Sequence, residues 1–223
     1  YLPRFTPLAL LETLQTRNGT VFMAVASIYA ALLAQKAAGP QHFASLRLAI
    51  SGGEPLPRNV YDEFQARFGV TIYEGYGLTE ASPIVAWNTP ECQRVGSVGK
   101  ALPGIEAFAV ERGAAMAFAA GAQPTPLPAG QTGELCLRGH CVMQGYHEQP
   151  QATAAVLYEG TLATGDVGHV DADGFVFITG RAKEMIIVGG ENVYPREIEN
   201  VLLSHPDVAE AAAIGVRDPL RGE

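Results

Sequence analysis

Apolar positions in the first ninety residues come in short blocks set apart by glycine and proline. Residues 8–16 read as a short helix, and Thr20 to Val25 as a buried strand. Helical spacing returns from Ile28 to Lys36 and stops at Gly39-Pro40. Leu46 to Ile50 is an apolar strand that runs into SGGEPLP. A helix follows, with Pro57 near its first turn and Val60, Phe64 and Phe68 recurring on one face. Val70 to Tyr73 predicts another strand, leading into YEGYGLTEASP. Strands alternating with helices in this rhythm predict a parallel sheet with crossover helices. Ligands of such sheets collect where loops leave the carboxyl ends of strands. SGGEPLP and EGYGLTE fall at such ends.

From about Gly96 the pattern changes. GSVGKALPG and PTPLPAGQTGE are turn-rich and flank short apolar strands at Ala107 to Val110 and Glu134 to Leu137, which predicts an antiparallel, β-barrel-like piece. Asp166 to Asp171 and Phe175 to Thr179 alternate around Asp173-Gly174, a hairpin signal. Met185 to Val188 reads as a buried run. Pro195 opens a helix with Ile198, Val201 and Leu202 on one face, ended by His205-Pro206, and Val208 to Val216 predicts a final strand. The patch GAAMAFAAGAQPTPLP is expected to be a surface excursion. The expected fold class is α/β: a parallel sheet with crossover helices over 1–95, a β-barrel-like subdomain over 96–180, and the start of a small α+β domain over 181–223.

Composition narrows this further. With 223 residues, 48% hydrophobic and 17% charged, the chain can bury a real core. A formal net charge of -8 argues against a nucleic-acid or acidic-membrane surface. The longest apolar run, Val21 to Ala34 broken by Ser27, falls short of the roughly 20 residues of a spanning helix, so no transmembrane segment is expected. Three cysteines without paired spacing predict reduced thiols and a cytoplasmic setting. The chain starts at Tyr1 with no signal-peptide pattern, and the expectation is a piece of a longer protein.

Four segments carry candidate chemistry. In YEGYGLTE, Gly75 and Gly77 allow close backbone approach, Tyr76 offers a ring face, Thr79 can bond a phosphate oxygen and Glu80 can hold Mg²⁺, a hard ion that prefers oxygen. Gly52-Gly53 and Glu54-Pro55 in SGGEPLP offer a second close approach and a fixed loop exit. Asp166 in LATGDVG, read at the start of a strand, can accept two bonds from a ribose diol. In GRAKEMIIVGGENVYPREIE, Arg181 and Lys183 bring charge after a strand, and Gly189-Gly190 can absorb large backbone changes. Taken alone, the first three segments read first as turn chemistry, and the fourth as a hairpin with surface charges.

Their order is more specific than any one of them. SGGEPLP, YEGYGLTE, GSVGKALPG, GELCLRG, TGDVGHVDADGFVFITGR and KEMIIVGGENVYPREIE together resemble the adenylate-forming superfamily of acyl-CoA synthetases, firefly luciferase and peptide-synthetase adenylation domains. The resemblance runs along nearly the whole chain. It implies two half-reactions: a carboxylate attacks the α-phosphate of ATP to give an acyl-adenylate, and a thiol, usually coenzyme A, then takes the acyl group after a rotation of the C-terminal domain. It implies that Gly53, Glu54 and Pro55 line the adenine, with Glu74, Gly75, Tyr76 and Gly77 as its other wall. Thr79 would touch the α-phosphate, Glu80 would hold Mg²⁺, and Asp166 would clasp the ribose with Arg181 close by. Lys183 falls at the hinge, Gly189 and Gly190 border the coenzyme A tunnel, and Gly52, Leu78 and Pro83 contribute to the acyl pocket.

Two of the superfamily's parts, a Ser/Thr/Gly-rich phosphate loop and a C-terminal catalytic lysine, have no match here, so the 223-residue chain is expected to be inactive alone. GGENVYPREIE differs from the peptide-synthetase form and favours coenzyme A as acceptor. The expected function is an ATP-dependent acyl-CoA synthetase for a medium- or long-chain fatty acid, using ATP, Mg²⁺ and coenzyme A. The alternatives are an aromatic-acid CoA ligase, a ligase loading an acyl carrier protein, and a non-catalytic nucleotide-binding scaffold. The sequence leaves a homodimer open.

Overall fold

The Thr6 hydroxyl accepts the Ala9 amide at 3.2 Å and starts α1 (Pro7–Thr16), with Pro7 in the first turn, where no amide partner is needed. The computed structural model describes residues 5–189, 191–205, 207–208 and 211–218. β1 (Val21–Ala24), β2 (Leu48–Ser51) and β3 (Ile72–Gly77) lie side by side and parallel, with α2 (Ala26–Leu33) and α3 (Arg58–Phe68) in the crossovers. The chain then doubles back. β4 (Ile84–Trp87) and β5 (Lys100–Ala101) extend the sheet in antiparallel fashion, in the order β1-β2-β3-β4-β5.

An aromatic core holds these helices to the sheet. Val60, Phe64 and Phe68 are buried on one face of α3, as their spacing predicts. Phe64 meets Tyr29, Phe43 and Phe68 at centroid distances of 5.2, 5.2 and 4.8 Å, all edge-on, the geometry that the ring quadrupole favours. The buried Tyr29 hydroxyl donates to the Ile50 carbonyl at 2.8 Å, so burial leaves no polar atom stranded there. β1, expected to be buried, is an edge strand among the described residues. Phe22 faces the core while Val21 and Met23 are exposed, because alternate side chains of a strand point to opposite faces.

The second sheet is antiparallel and open among the described residues. Its strands are β6 (Ile105–Val110), β7 (Gly133–Gly139), β8 (Leu157–Tyr158), β9 (Thr161–Val170) and β10 (Val176–Arg181), in the order β10-β9-β7-β6 with β8 on β9. The expected β9–β10 hairpin is present, and Arg94 grips its turn through Asp171 and Asp173 with its guanidinium 4.3 Å over Phe175. The two sheets are joined where Val98 donates to the Val176 carbonyl and Val176 to that of Gly99, both at 2.9 Å. Ala81, Val85 and Val98 share one core there with Leu135, Leu137 and Leu162.

Three expectations are corrected. The alanine-rich patch is not wholly a surface excursion. It contains α4 (Ala114–Ala119), whose Ala114 and Phe118 are buried with Phe108, Val110 and Cys136, because β6 and β7 leave an apolar face that needs a cover. After α5 (Pro150–Val156) and the second sheet, Met185 to Val188 proves only partly buried. β11 (Ile186–Val188) and β12 (Glu191–Val193) form an isolated hairpin in which Ile186 is buried and Ile187 exposed. α6 (Pro195–Leu203) follows, with Ile198, Val201 and Leu202 all exposed. Of the final strand expected over Val208 to Val216, Ala209 and Glu210 lie outside the described residues, and 211–216 form no strand. Gly190 and Pro206 lie outside the described residues.

The register shift between Tyr76 and Gly77 folds the chain tightly onto the start of β4. A Cβ at Gly77 would stand 1.7 Å from the Pro83 carbonyl oxygen, and only backbone displacement could relieve that. Gly77→Ala is therefore expected to lower stability by about 3 kcal/mol. Urea unfolding checks this; an unchanged midpoint would show that the β3–β4 turn relaxes freely.

Candidate functional site: a cleft between the two sheets

The segment Tyr73–Gly77, expected as the run into a loop, is strand to its end. Alternation then puts Glu74 and Tyr76 on one face and the glycines on the other, where a Cβ at Gly75 would come within 3.2 Å of Trp87. A cleft of about 580 Å³ opens beside β3. Gly53, Glu54 and Pro55 line it from the loop after β2, and Glu74, Gly75, Tyr76 and Gly77 from β3. Asp166 reaches it from β9 and Arg181 from the end of β10. All nine residues expected at a nucleotide are brought to this one cavity.

Asp166 is the best-held of them. It lies in the middle of β9 rather than at its start, in register with Arg181, and is 4% exposed. The Tyr76 hydroxyl donates to Oδ2 at 2.5 Å and Arg181 Nε to Oδ1 at 3.1 Å. Burial pushes its carboxyl above the ordinary range, while Tyr76, Arg181 and Arg196 pull it back. Burial, then the charge of Asp166, pushes the Tyr76 hydroxyl upward, so it stays a proton donor. Tyr76 thus serves as an anchor for Asp166 as well as a ring beside the cleft.

Glu74 is buried, and its Oε1 accepts the Leu56 amide at 3.1 Å. Burial pushes its carboxyl upward against the pull of that amide and of Arg196. A raised folded value favours the protonated form in the fold. The stability it contributes is full below the unfolded value and is lost as pH rises through the folded one. Glu74→Gln keeps an acceptor for Leu56 without the charge. It is expected to be more stable than the parent at about pH 7.5 and to lose that advantage at about pH 4. Urea midpoints at both pH values check this, and a less stable variant at the higher pH would refute it.

The Glu54 carboxylate turns away to accept the Ser27 amide at 3.1 Å, where the first turn of α2 favours negative charge. Gly53, at φ 83°, needs to be glycine. Thr79 and Glu80 stand on a short 3-10 turn just past β3, with Thr79 exposed. Glu80 is gripped twice: Oε1 accepts the Tyr146 hydroxyl at 2.8 Å, and its carbonyl accepts the Met143 amide at 2.8 Å. Among the described residues no group of three or more His, Cys, Asp or Glu side chains could hold a metal ion. A cation at Glu80 would therefore need further oxygens from a bound phosphate, which suits Mg²⁺.

The other expected site residues lie apart. Lys183 is exposed on a 3-10 turn after β10, and Gly189, at φ 60°, is exposed in the β11–β12 turn. Leu78 packs on the second core, Pro83 is exposed, and the Gly52 amide donates to the Ala24 carbonyl at 3.3 Å; none of the three lines the cleft. Two residues were not singled out from the sequence, Tyr146 and Arg196. Tyr146 follows Gly145, whose missing side chain admits Thr153, and Arg196 follows the proline that opens α6. Those neighbours were the available signals.

The family model described as AMP-binding enzyme matches residues 1–147, and that of the AMP-binding enzyme C-terminal domain matches 197–223. The chain belongs to this family, within the adenylate-forming superfamily. It is 38% identical over 222 residues to a long-chain-fatty-acid–CoA ligase of Escherichia coli O6:H1, covering 99% of this chain and 38% of the relative. It is 40% identical over 210 residues to a sulfoacetate–CoA ligase of Cupriavidus necator, covering 93% and 39%. A feruloyl-CoA synthase of an Amycolatopsis species is 37% identical over 221 residues, covering 98% and 43%. The chain thus spans about two fifths of the length of these curated relatives. Among solved structures, ATP-bound MatB from Rhodopseudomonas palustris superposes with a TM-score of 0.89 at 36% identity, covering 100% of this chain and 42% of that one. Its apo form gives 0.78 over the same coverage.

Proposed function

We propose that this chain is part of an AMP-forming acid–thiol ligase that activates a medium- or long-chain fatty acid with ATP and passes it to coenzyme A. The observation that carries the reading is the Asp166 clasp, set in one cleft with the eight other residues expected at a nucleotide. The kinship with CoA ligases supports it. The relatives act on acids as different as long-chain fatty acids, sulfoacetate and, by name, a feruloyl group at similar identity, so kinship alone does not select the acid.

In this reading Asp166 accepts the ribose hydroxyls, with its orientation held by Tyr76 and its charge balanced by Arg181. Gly53 and Gly75 let backbone approach the flat base. Thr79, exposed at the end of β3, offers its hydroxyl to the α-phosphate. Glu80 would hold Mg²⁺, which when bound neutralises charge building on the phosphate. Lys183 would be the pivot for the second half-reaction, with Gly189 and Gly190 near coenzyme A.

The test is pyrophosphate release by the full-length protein over a panel of acids, with and without coenzyme A. Coenzyme A-dependent thioester from dodecanoate is the expected result. Equal activity on benzoate would overturn the fatty-acid preference, and adenylate without thioester would point to a carrier-protein acceptor.

A further inference from the structure

Among the described residues, five carboxylates and two guanidiniums line the cleft. Arg181 is engaged by Asp166. The other guanidinium, Arg196, comes from the first turn of α6, beyond Lys183, and reaches back to the sheet, where Nη1 donates to the Ile178 carbonyl of β10 at 3.1 Å. The carboxylates of Glu74, Asp166 and Glu199 all act on it, while burial works against its charge. Its Nε is buried with no hydrogen-bond partner. A buried charged donor left without an acceptor costs roughly 1–3 kcal/mol or more, so such atoms need a reason. Arg196, Glu74 and Ile178 also border a second cavity of about 340 Å³. Arg196 therefore stands in the wall between the two cavities.

We propose that Arg196 is a nucleoside-contacting residue: its guanidinium plane closes the base-and-ribose end of the cleft, against the purine, and does so only while α6 is docked. The inference rests on the nucleotide-binding reading. The neighbours of Arg196 decide which part of a nucleotide it meets. Glu74 and Asp166 line the same cleft, and their charges, which act on Arg196, would repel a phosphate placed there, whereas Thr79 and Glu80 follow the far end of β3. Nη1 already donates to the Ile178 carbonyl, and the guanidinium offers a flat polar surface. That suits a neutral heteroaromatic ring, on which arginine stacks and to whose nitrogens it donates. Because α6 follows Lys183, the contact links nucleoside binding to docking of that segment, and linkage is reciprocal. A ligand held partly by Arg196 stabilises the docked arrangement by as much as docking improves its affinity.

Calorimetry with adenosine, AMP and ATP on the protein, Arg196→Ala and Arg196→Lys tests this. Arg196→Ala is expected to weaken all three ligands by a similar factor of about 10. Lysine, which lacks the plane, is expected not to restore them, and it serves as the variant to read if the alanine protein misfolds. Adenosine should slow amide exchange in α6 of the parent and not of the variants. Adenosine affinity within about two-fold of the parent overturns the proposal, and so does a loss confined to ATP and AMP, which would assign Arg196 to a phosphate. A parent protein that binds none of the three overturns the nucleotide reading itself, and this inference with it.

Discussion

Asp166→Ala is expected to weaken ATP binding about 100-fold, close to 3 kcal/mol, with the loss shared by adenosine. The carboxylate is 4% exposed, and both of its oxygens are already oriented, one by Tyr76 and one by Arg181. A preoriented anion loses little freedom on accepting a diol, and its charge strengthens each bond. Removing it also takes the carboxylate acceptor from the Tyr76 hydroxyl beside the cleft. Asp166→Asn separates the two effects, because the amide oxygen can still accept from Tyr76 while the charge is gone. The asparagine variant should keep the parent's thermal stability and still bind ATP at least 10-fold more weakly. Calorimetry decides: ATP affinity within about two-fold of the parent in the alanine variant would remove Asp166 from the nucleotide site.

The second large effect falls on turnover. Glu80→Gln in the full-length protein is expected to reduce kcat for pyrophosphate release by roughly 100- to 1000-fold, with ATP affinity in the absence of metal little changed. The fold should tolerate the change. Glutamine keeps an oxygen for the Tyr146 hydroxyl, and the bond from Met143 goes to the backbone carbonyl, which the substitution leaves alone. What is lost, in the proposed role, is a hard anionic ligand for Mg²⁺. The variant should therefore need more Mg²⁺ to reach half-maximal rate. A rate within about three-fold of the parent at equal Mg²⁺ would take Glu80 out of the metal role.

Much of the candidate site was legible because its residue types are unusual where they stand. Gly75 and Gly77 alternate through a strand, where β4 presses against the face they leave bare. Gly53 sits at a positive φ between β2 and α3. The hairpin around Asp173-Gly174 was readable from alternation and a turn dipeptide. Tyr146 and Arg196 were not legible as site residues. Tyr146 acts on Glu80 across 66 positions, and nothing in QGYHEQP marks its hydroxyl for that carboxylate. Arg196 looks like an ordinary cation on an amphipathic helix until the cleft is seen to close on it.

By itself the sequence determined the alternation of strands and helices, the face of α3 that is buried, the glycine positions and the order of motifs that marks the family. Each is a property of neighbours along the chain, governed by periodicity and backbone freedom. Only the tertiary structure decided that Tyr76 meets Asp166 across 90 positions, that the Glu54 carboxylate holds α2, and that α4 belongs partly to a core. Those outcomes depend on which surfaces come to share a buried space, where an unpaired polar atom or an uncovered apolar face is costly. Spacing along the chain carries no record of that cost.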